Sequence, residues 1–320
     1  MISSTGSYLP AKEVRNEDLD WFPAEALSKI SEKTGVYSRR HGAPEECTSD
    51  LGLVAARRCL EKAGIAPDAI DGIILSTSSP DRIQPATAAR VQHLLGARNA
   101  FALDINSVCS GSVFGISIAD SLIRSGSCSL VLLIAAEMYS KILNTRDFST
   151  FPYFGDGAGA ILFEQGKTGG VLHSVLRTAG EGSDVICVPG GGTMMPFHQI
   201  TNPRSAYFKM DGRAVFAFAV EKGTEVILEL LHAARITLSD ITLFVTHQAN
   251  INIINSIAAK LGVPTDRFMV NLDRYGNTAS ASVPIALDEA IGSGKVQPGD
   301  LVVTVAFGGG LSWGANLLQL

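Results

Sequence analysis

Three residues whose types suit acyl chemistry lie far apart in this 320-residue chain: Cys109, His247 and Asn277. Cys109 follows the apolar run 101–105 and a few small polar residues, and a helical pattern opens at once, from about Gly111 to Ser125. That pattern is apolar on nearly every side, which predicts a buried central helix. A cysteine at its start faces unpaired N–H groups and the positive end of the helix dipole, and both favour the thiolate. Free cysteines also occur as small core hydrophobes, so the residue alone carries either role. His247 follows an apolar run over 241–246, where a lone histidine is more often structural. Asn277 sits in Arg274-Tyr-Gly-Asn-Thr-Ala-Ser, which by itself reads as a turn or cap. Gly308-Gly309-Gly310 is a tolerant turn, or backbone N–H groups brought close to a substrate oxygen. As a set the residues make sense: a thiolate takes an acyl group, while a neutral imidazole and an amide stabilise an enolate. The same trio also serves cysteine hydrolases, and spacing does not choose between them.

The elements that must position these residues alternate between strand and helix. Ile2–Thr5 reads as a strand closed by Gly6, Thr48–Ala63 as an amphipathic helix capped by Thr48 or Ser49 and stopped at Gly64, and Ile70–Ser76 as a strand. Thr87–Leu95 reads as a helix, and Phe101–Ile105 and Leu130–Ala135 as strands. The second half repeats this order. Residues 65–76 match 236–247, Ser112-Val113 through Glu137 match Ser282-Val283 through Phe307, and the glycine turn at 154–163 matches that at 307–318. Duplication predicts two β/α halves, 1–170 with the cysteine and 171–320 with the histidine and asparagine, packed face to face. The stretch from about Gly180 to Met210 has no counterpart and reads as an inserted loop beside a pocket. The strand Leu130–Ala135 with Arg90–Leu95 is a candidate dimer surface.

Composition narrows the classes. The chain is 46% hydrophobic and 18% charged with net charge −5, which argues against disorder and against a basic nucleic-acid surface. Five cysteines without CxxC spacing predict reduced thiols, no zinc site and a cytoplasmic setting. Met1-Ile-Ser-Ser-Thr-Gly does not read as a signal peptide, and no apolar run is long enough to span a bilayer. Gly155-Asp-Gly157-Ala-Gly159 lacks the spacing of a dinucleotide loop and precedes a strand rather than a helix.

Several longer motifs carry a resemblance. Gly6-Ser-Tyr-Leu-Pro10, Lys33-Thr-Gly35, Cys109 in its strand-to-helix turn and Phe154-Gly-Asp-Gly-Ala-Gly-Ala160 occur in the first half. His247-Gln-Ala-Asn250, the run 276–290, Ala306-Phe-Gly-Gly-Gly310 and Trp313-Gly314 follow in the second. Over essentially its full length the chain resembles β-ketoacyl-acyl carrier protein synthase III, of the thiolase superfamily. The resemblance implies a five-layered αβαβα sandwich of two duplicated halves. It implies Cys109 as acyl-accepting nucleophile, His247 and Asn277 as holders of a malonyl thioester, and an oxyanion hole from the Cys109 and Gly309 N–H groups. Phe307, Phe154, Asn250 and, from a partner subunit, Gln84 would line the substrate pocket. Acyl-coenzyme A and malonyl-acyl carrier protein would be substrates, no metal or redox cofactor would be needed, and the protein would be a homodimer.

The chain departs from that pattern at the positions where the resemblance implies coenzyme A and carrier contacts. Lys29 stands where a tryptophan often stacks on adenine, Lys33 replaces an arginine, Phe148 replaces another with Arg146 nearby, and Asn252 replaces a basic residue. Lysine attracts phosphate without the planar bidentate contact of arginine. Lys33, Arg146, Arg213, Lys260 and Arg267 remain as cationic candidates. These changes keep open a specialised relative of secondary metabolism, a condensing enzyme or acyltransferase on the same fold, with a cysteine hydrolase as the more distant class.

Overall fold

Apolar runs four to eight residues long, punctuated by glycine, give short strands that must be covered on both faces. In the computed structural model, which describes residues 1–166 and 168–320, the first half begins with β1 (Ile2–Tyr8), β2 (Lys12–Arg15), α1 (Ala24–Thr34), β3 (Ser38–His41) and α2 (Thr48–Ala63). It continues with β4 (Gly72–Ser76), α3 (Thr87–Leu95), β5 (Phe101–Ile105), α4 (Gly111–Arg124), β6 (Leu130–Glu137) and β7 (Gly157–Glu164). The second half holds β8 (Gly170–Thr178), β9 (Ile186–Cys187), β10 (Lys209–Met210), α5 (Gly212–Ala234), β11 (Leu243–Thr246) and α6 (Ile251–Leu261). It closes with α7 (Leu272–Tyr275), α8 (Ser282–Gly292), β12 (Leu301–Gly308) and β13 (Ser312–Gln319).

The main sheets are copies of one pattern. The first has the order β1-β7-β6-β4-β5 and the second β8-β13-β12-β11. In each, corresponding strands pair in parallel (β4 with β6, β11 with β12) and the next two pairings are antiparallel. The counterpart of β5 has shrunk to a single bridge between Phe244 and Phe268. Helices α2 and α3 cover the outer face of the first sheet, where Leu51, Ala55 and Val91 meet Ile73, Leu75 and Leu132. Helices α4 and α8 fill the middle, where Val113, Ile116, Val283 and Leu287 meet Ile74 and Leu133 of one sheet and Val245 and Val302 of the other. Helices α5 and α6 close the far side against Phe244, Val303 and Leu317. Alternate β4 residues therefore face different layers, as strand geometry requires. The result is the five-layered αβαβα sandwich.

Three expectations change. Gly6 does not end β1; it lies within it, because α2 crosses so closely that a Cβ there would sit 2.5 Å from the Cys59 nitrogen. The cap of α2 is Cys47, whose N–H donates to the Asp50 carboxylate at 2.9 Å, one residue before the expected caps. Strand β6 cannot form a dimer surface, since it lies between β7 and β4 and is buried almost throughout. The apolar edge is instead β5, where Phe101 and Leu103 are 43% and 37% exposed, with Ile118 of α4 also 37% exposed. Among the described residues no helix is long and apolar enough to cross a membrane.

Candidate active site

The two central helices begin in matching turns. Short 3-10 turns at Val108–Ser110 and Ala279–Ala281 precede α4 and α8, each opened by a residue in the left-handed region, Val108 with φ 49° and Ala279 with φ 46°. For a β-branched valine this backbone costs roughly 1–3 kcal/mol, a cost met where the surroundings over-determine the conformation. Here the Asn106 side chain accepts the Val108 N–H at 3.1 Å, and the Ser110 hydroxyl donates to the Ser107 carbonyl at 2.8 Å. Cys109 is thereby fixed at the start of α4, only 6% exposed. A Cβ on Gly308, at the end of β12, would lie 2.7 Å from the Cys109 nitrogen, so only glycine lets the second half approach the nucleophile turn this closely. Gly308→Ala should therefore displace that turn and cut Cys109 acylation at least about tenfold while the protein remains folded, a loss of the size expected from misplaced reacting groups. Single-turnover acylation kinetics with circular dichroism of the variant checks it.

His247 follows β11, and its backbone N–H donates to the Val305 carbonyl at 2.7 Å. Its ring is buried, meets Phe307 edge-on with centroids 5.4 Å apart, and places Nδ1 2.7 Å from the Ser282 hydroxyl. Burial pushes its pKa down to about 3, so the imidazole is neutral at physiological pH. Asn277 is pinned across the two halves: its N–H donates to the Tyr153 carbonyl at 2.8 Å and its carbonyl accepts the Gly155 N–H at 3.0 Å. Gly155 allows that approach, since a Cβ there would be 2.2 Å from the Tyr275 carbonyl oxygen. The Asn277 side-chain oxygen accepts the Ala279 N–H at 2.8 Å, which leaves its NH2 group free to donate.

Cys109, His247, Asn277, Phe154 and Phe307 line one cavity of about 260 Å³, with Ile186, Phe208 and Met210 from the inserted segment forming part of its wall. Burial pushes the Cys109 thiol up, and the nearby Glu137 carboxylate adds to the effect, while its own N–H pulls the other way. The resting pair is a thiol and a neutral imidazole. Acylation should then speed up about tenfold per pH unit between about pH 6 and pH 8, as the thiolate fraction grows without reaching a plateau. The decarboxylating half-reaction should show no imidazole inflection in that range, because His247 has already lost its proton. Half-reaction rates across that range check both statements.

Comparison with known proteins shows the lineage. Residues 103–180 match the family model described as 3-oxoacyl-[acyl-carrier-protein (ACP)] synthase III, and residues 231–320 match that of its C-terminal part. The chain is 41% identical over 322 residues to β-ketoacyl-[acyl-carrier-protein] synthase III of Erythrobacter litoralis, covering 99% of this chain and 98% of that one. It is 42% identical over 320 residues to the protein of that name from Symbiobacterium thermophilum, covering 99% and 97%. The chain belongs to the β-ketoacyl-[acyl-carrier-protein] synthase III family. The crystal structure of 3-oxoacyl-[acyl-carrier-protein] synthase III from Aquifex aeolicus superposes with a TM-score of 0.91 at 37% identity, covering 100% of this chain and 99% of that one. The protein is thus an acyl-transferring condensing enzyme.

On this synthase III chain the peripheral candidates separate. Asn250 caps α6, accepting the Asn252 N–H at 2.8 Å, and lines the cavity with Lys33. Asn252, in the place of a basic residue, instead ties α6 to α1 by donating to the Lys33 carbonyl at 2.7 Å. Lys33 also borders a groove shared with Lys29 and Phe148. Arg213 is exposed and follows Gly212 of the cavity wall without itself lining the cavity. Four other candidates are not brought to the cavity. Arg146 lines a separate cleft with Arg204 and Lys209. Lys260 lies in the last turn of α6, roughly 15 Å from Asn250 along the helix axis. Arg267 donates to the Leu238 and Ile241 carbonyls within the fold. Gln84 is exposed on the loop before α3 and lines no part of its own chain's cavity, so only a partner subunit's Gln84 has access to such a site. Gly309 follows β12, packs against Val108 and Ile186, and holds its carbonyl on the Ser312 hydroxyl at 2.8 Å. Among the described residues no backbone carbonyl takes up its N–H.

Two supports were not read from the sequence. Glu137 is fully buried between the halves and accepts from the Ser79 hydroxyl at 2.6 Å, the Ser280 hydroxyl at 2.7 Å and the Ser78 and Ser79 N–H groups. Asp156 of the Phe154-Gly-Asp motif accepts from the Gly42 and Ser140 N–H groups and the Ser140 hydroxyl, and burial raises its pKa to about 6. The donors to Glu137 lie 58 to 143 positions away in the sequence, so no local signal marks it and only the fold assembles them.

Proposed function

We propose that the protein starts fatty-acid synthesis by condensing an acyl-coenzyme A primer with malonyl-acyl carrier protein through an acyl-Cys109 intermediate. Sulfur attacks the primer thioester carbonyl, the carbon–sulfur bond to coenzyme A breaks, and the thiol proton ends on the departing coenzyme A. The Cys109 and Gly309 N–H groups receive the oxyanion. In the second half the bond from the malonyl α-carbon to its carboxylate breaks and carbon dioxide leaves. The electron pair moves toward the thioester oxygen, where the His247 Nε2–H and the Asn277 NH2 hold the enolate. The apolar face of Phe307 disfavours the carboxylate and favours its loss. The enolate carbon then attacks the acyl-Cys109 carbonyl and Cys109 departs, regaining a proton as the β-ketoacyl carrier is released. The chemistry uses only these protein groups, with no metal or redox cofactor.

The observation that carries this reading is the orientation of Asn277: its oxygen is occupied by the Ala279 N–H, so it offers the cavity a donor. An asparagine that served only to orient a histidine base would present its oxygen to the ring instead. The apolar edge at Phe101, Leu103 and Ile118 supports a homodimer in which the partner's loop completes the acyl pocket. Lys33 on the cavity wall and Arg213, one residue beyond the lining Gly212, support attraction of the acidic carrier and of coenzyme A phosphates, and the enzyme would work in the cytoplasm. Intact-mass measurement with a panel of acyl-coenzyme A esters, before and after adding malonyl-acyl carrier protein, tests the reading. A mass gain on Cys109 that only the malonyl carrier discharges, leaving a β-ketoacyl product, supports it. Discharge by water would make the protein a hydrolase, and discharge by another acceptor a specialised acyltransferase.

A further inference from the structure

The direction of hydrogen bonding at His247 is set by one hydroxyl. The Ser282 oxygen lies 2.7 Å from Nδ1 of the ring, and the Gln248 N–H points at the same oxygen from 3.4 Å. Both residues are buried, and among the described residues the Ser282 hydroxyl has no third partner. The Gln248 N–H can only donate, so the serine oxygen accepts from it. If Nδ1 also carried hydrogen, the serine oxygen would accept twice and its own proton would have no acceptor among the described residues, which buried hydroxyls avoid. Only one arrangement satisfies Nδ1, the Ser282 hydroxyl and the Gln248 N–H together: Ser282 donates to Nδ1, and the ring hydrogen sits on Nε2, facing the cavity.

The duplicated half shows that this hydroxyl is not required by the fold. The starts of β4 and β11, of α4 and α8, and of β6 and β12 (Gly72 and Leu243, Gly111 and Ser282, Leu130 and Leu301) each differ by 171 positions. On that spacing His247 corresponds to Ser76 and Ser282 to Gly111. In the first half Gly111 packs directly on Ser76, a Cβ there falling 2.1 Å from the Ser76 hydroxyl, and that hydroxyl has no partner. The same helix start therefore exists without a hydroxyl, and only the half bearing the histidine supplies one.

We propose that Ser282 is a positioning residue that holds His247 in the Nε2–H tautomer, committing the ring to donate to the malonyl thioester oxygen rather than to accept the Cys109 proton. The inference rests on the condensing role proposed for His247. It makes the second half-reaction depend on Ser282 and leaves the first independent of it.

Enzyme labelled with nitrogen-15 histidine, with His247 assigned by comparison with His247→Ala, tests this by NMR. The wild-type ring should show hydrogen on Nε2, and Ser282→Ala should show a mixture of tautomers. In that variant kcat for condensation should fall about tenfold, the scale of one buried hydrogen bond, with KM for malonyl carrier and the rate of acylation unchanged. A wild-type ring with hydrogen on Nδ1 overturns the proposal, even where the variant does not fold. An unchanged tautomer in Ser282→Ala, or equal losses in both half-reactions, also overturns it. A wild-type enzyme that acylates but never decarboxylates malonyl carrier would instead sink the condensing role itself, whatever the tautomer.

Discussion

Cys109→Ser should leave the protein folded and almost unable to take an acyl group from acyl-coenzyme A, with the acylation rate falling by about four orders of magnitude or more, as loss of a nucleophile does elsewhere. The substitution is nearly isosteric in a site only 6% exposed, so packing changes little. What changes is the acidity and softness of the nucleophile. A thiol already pushed up by burial and by Glu137 yields little thiolate at neutral pH, and a hydroxyl in the same place would yield far less. The start of α4 offsets part of this penalty through its dipole, but a contribution of up to about 2 kcal/mol cannot make an alcohol a competitive nucleophile. Intact mass after mixing with acyl-coenzyme A reads the outcome directly. Full acylation of Cys109→Ser would move the nucleophile elsewhere, and none of the other four cysteines lines the cavity.

How much of this was open to a reader of the sequence depends on the kind of signal. Strand and helix periodicity placed α2, α3 and β5 at their observed bounds, since each is a short amphipathic or apolar run with a clear stop, such as Gly64 and Gly96 in the left-handed conformation. The duplication was visible too, but its register was not uniformly right. Matching Ser112-Val113 to Ser282-Val283 follows residue identity, whereas the structure pairs Gly111 with Ser282 by helix start and strand order. A one-residue slip of that kind hides the relation between Ser282 and His247. Gly6 misled for a related reason: a glycine demanded by close packing against α2 looks, in one dimension, like a turn. Long-range assemblies left no local trace at all. The six donors around Glu137 come from residues 77, 78, 79 and 280, and only folding brings them to one carboxylate. Cationic side chains were the least legible class, because Arg213 and Lys260 have the same local appearance while Arg213 follows a cavity-lining glycine and Lys260 lies at the far end of a helix.

His247→Ala and Asn277→Ala should have the opposite effect to the serine substitution: acylation of Cys109 proceeds, and decarboxylation of malonyl carrier drops by about 10²–10³ in each, the loss expected for one oxyanion-type donor. The asymmetry follows from the hydrogen-bond inventory. The ring offers Nε2–H, with Nδ1 taken by Ser282, and the amide offers NH2, with its oxygen taken by Ala279. Neither group is disposed to accept the thiol proton, so neither is needed when the primer enters. Asn277→Asp sharpens the test. A carboxylate oxygen still accepts the Ala279 N–H, and the backbone bonds to Tyr153 and Gly155 do not involve the side chain, so the loop keeps its anchors. Only the donor is lost, and a negative charge replaces it beside a developing enolate. Decarboxylation should therefore be at least as impaired as in Asn277→Ala, while acyl-Cys109 still accumulates to full stoichiometry. The double variant His247→Ala/Asn277→Ala should lose less than the product of the single losses, because both donors serve one oxygen. Measured by acyl-enzyme mass and carbon dioxide release, equal damage to both half-reactions would make His247 a base and return the site to hydrolase chemistry. Selective loss of decarboxylation is what two donors converging on one thioester oxygen require.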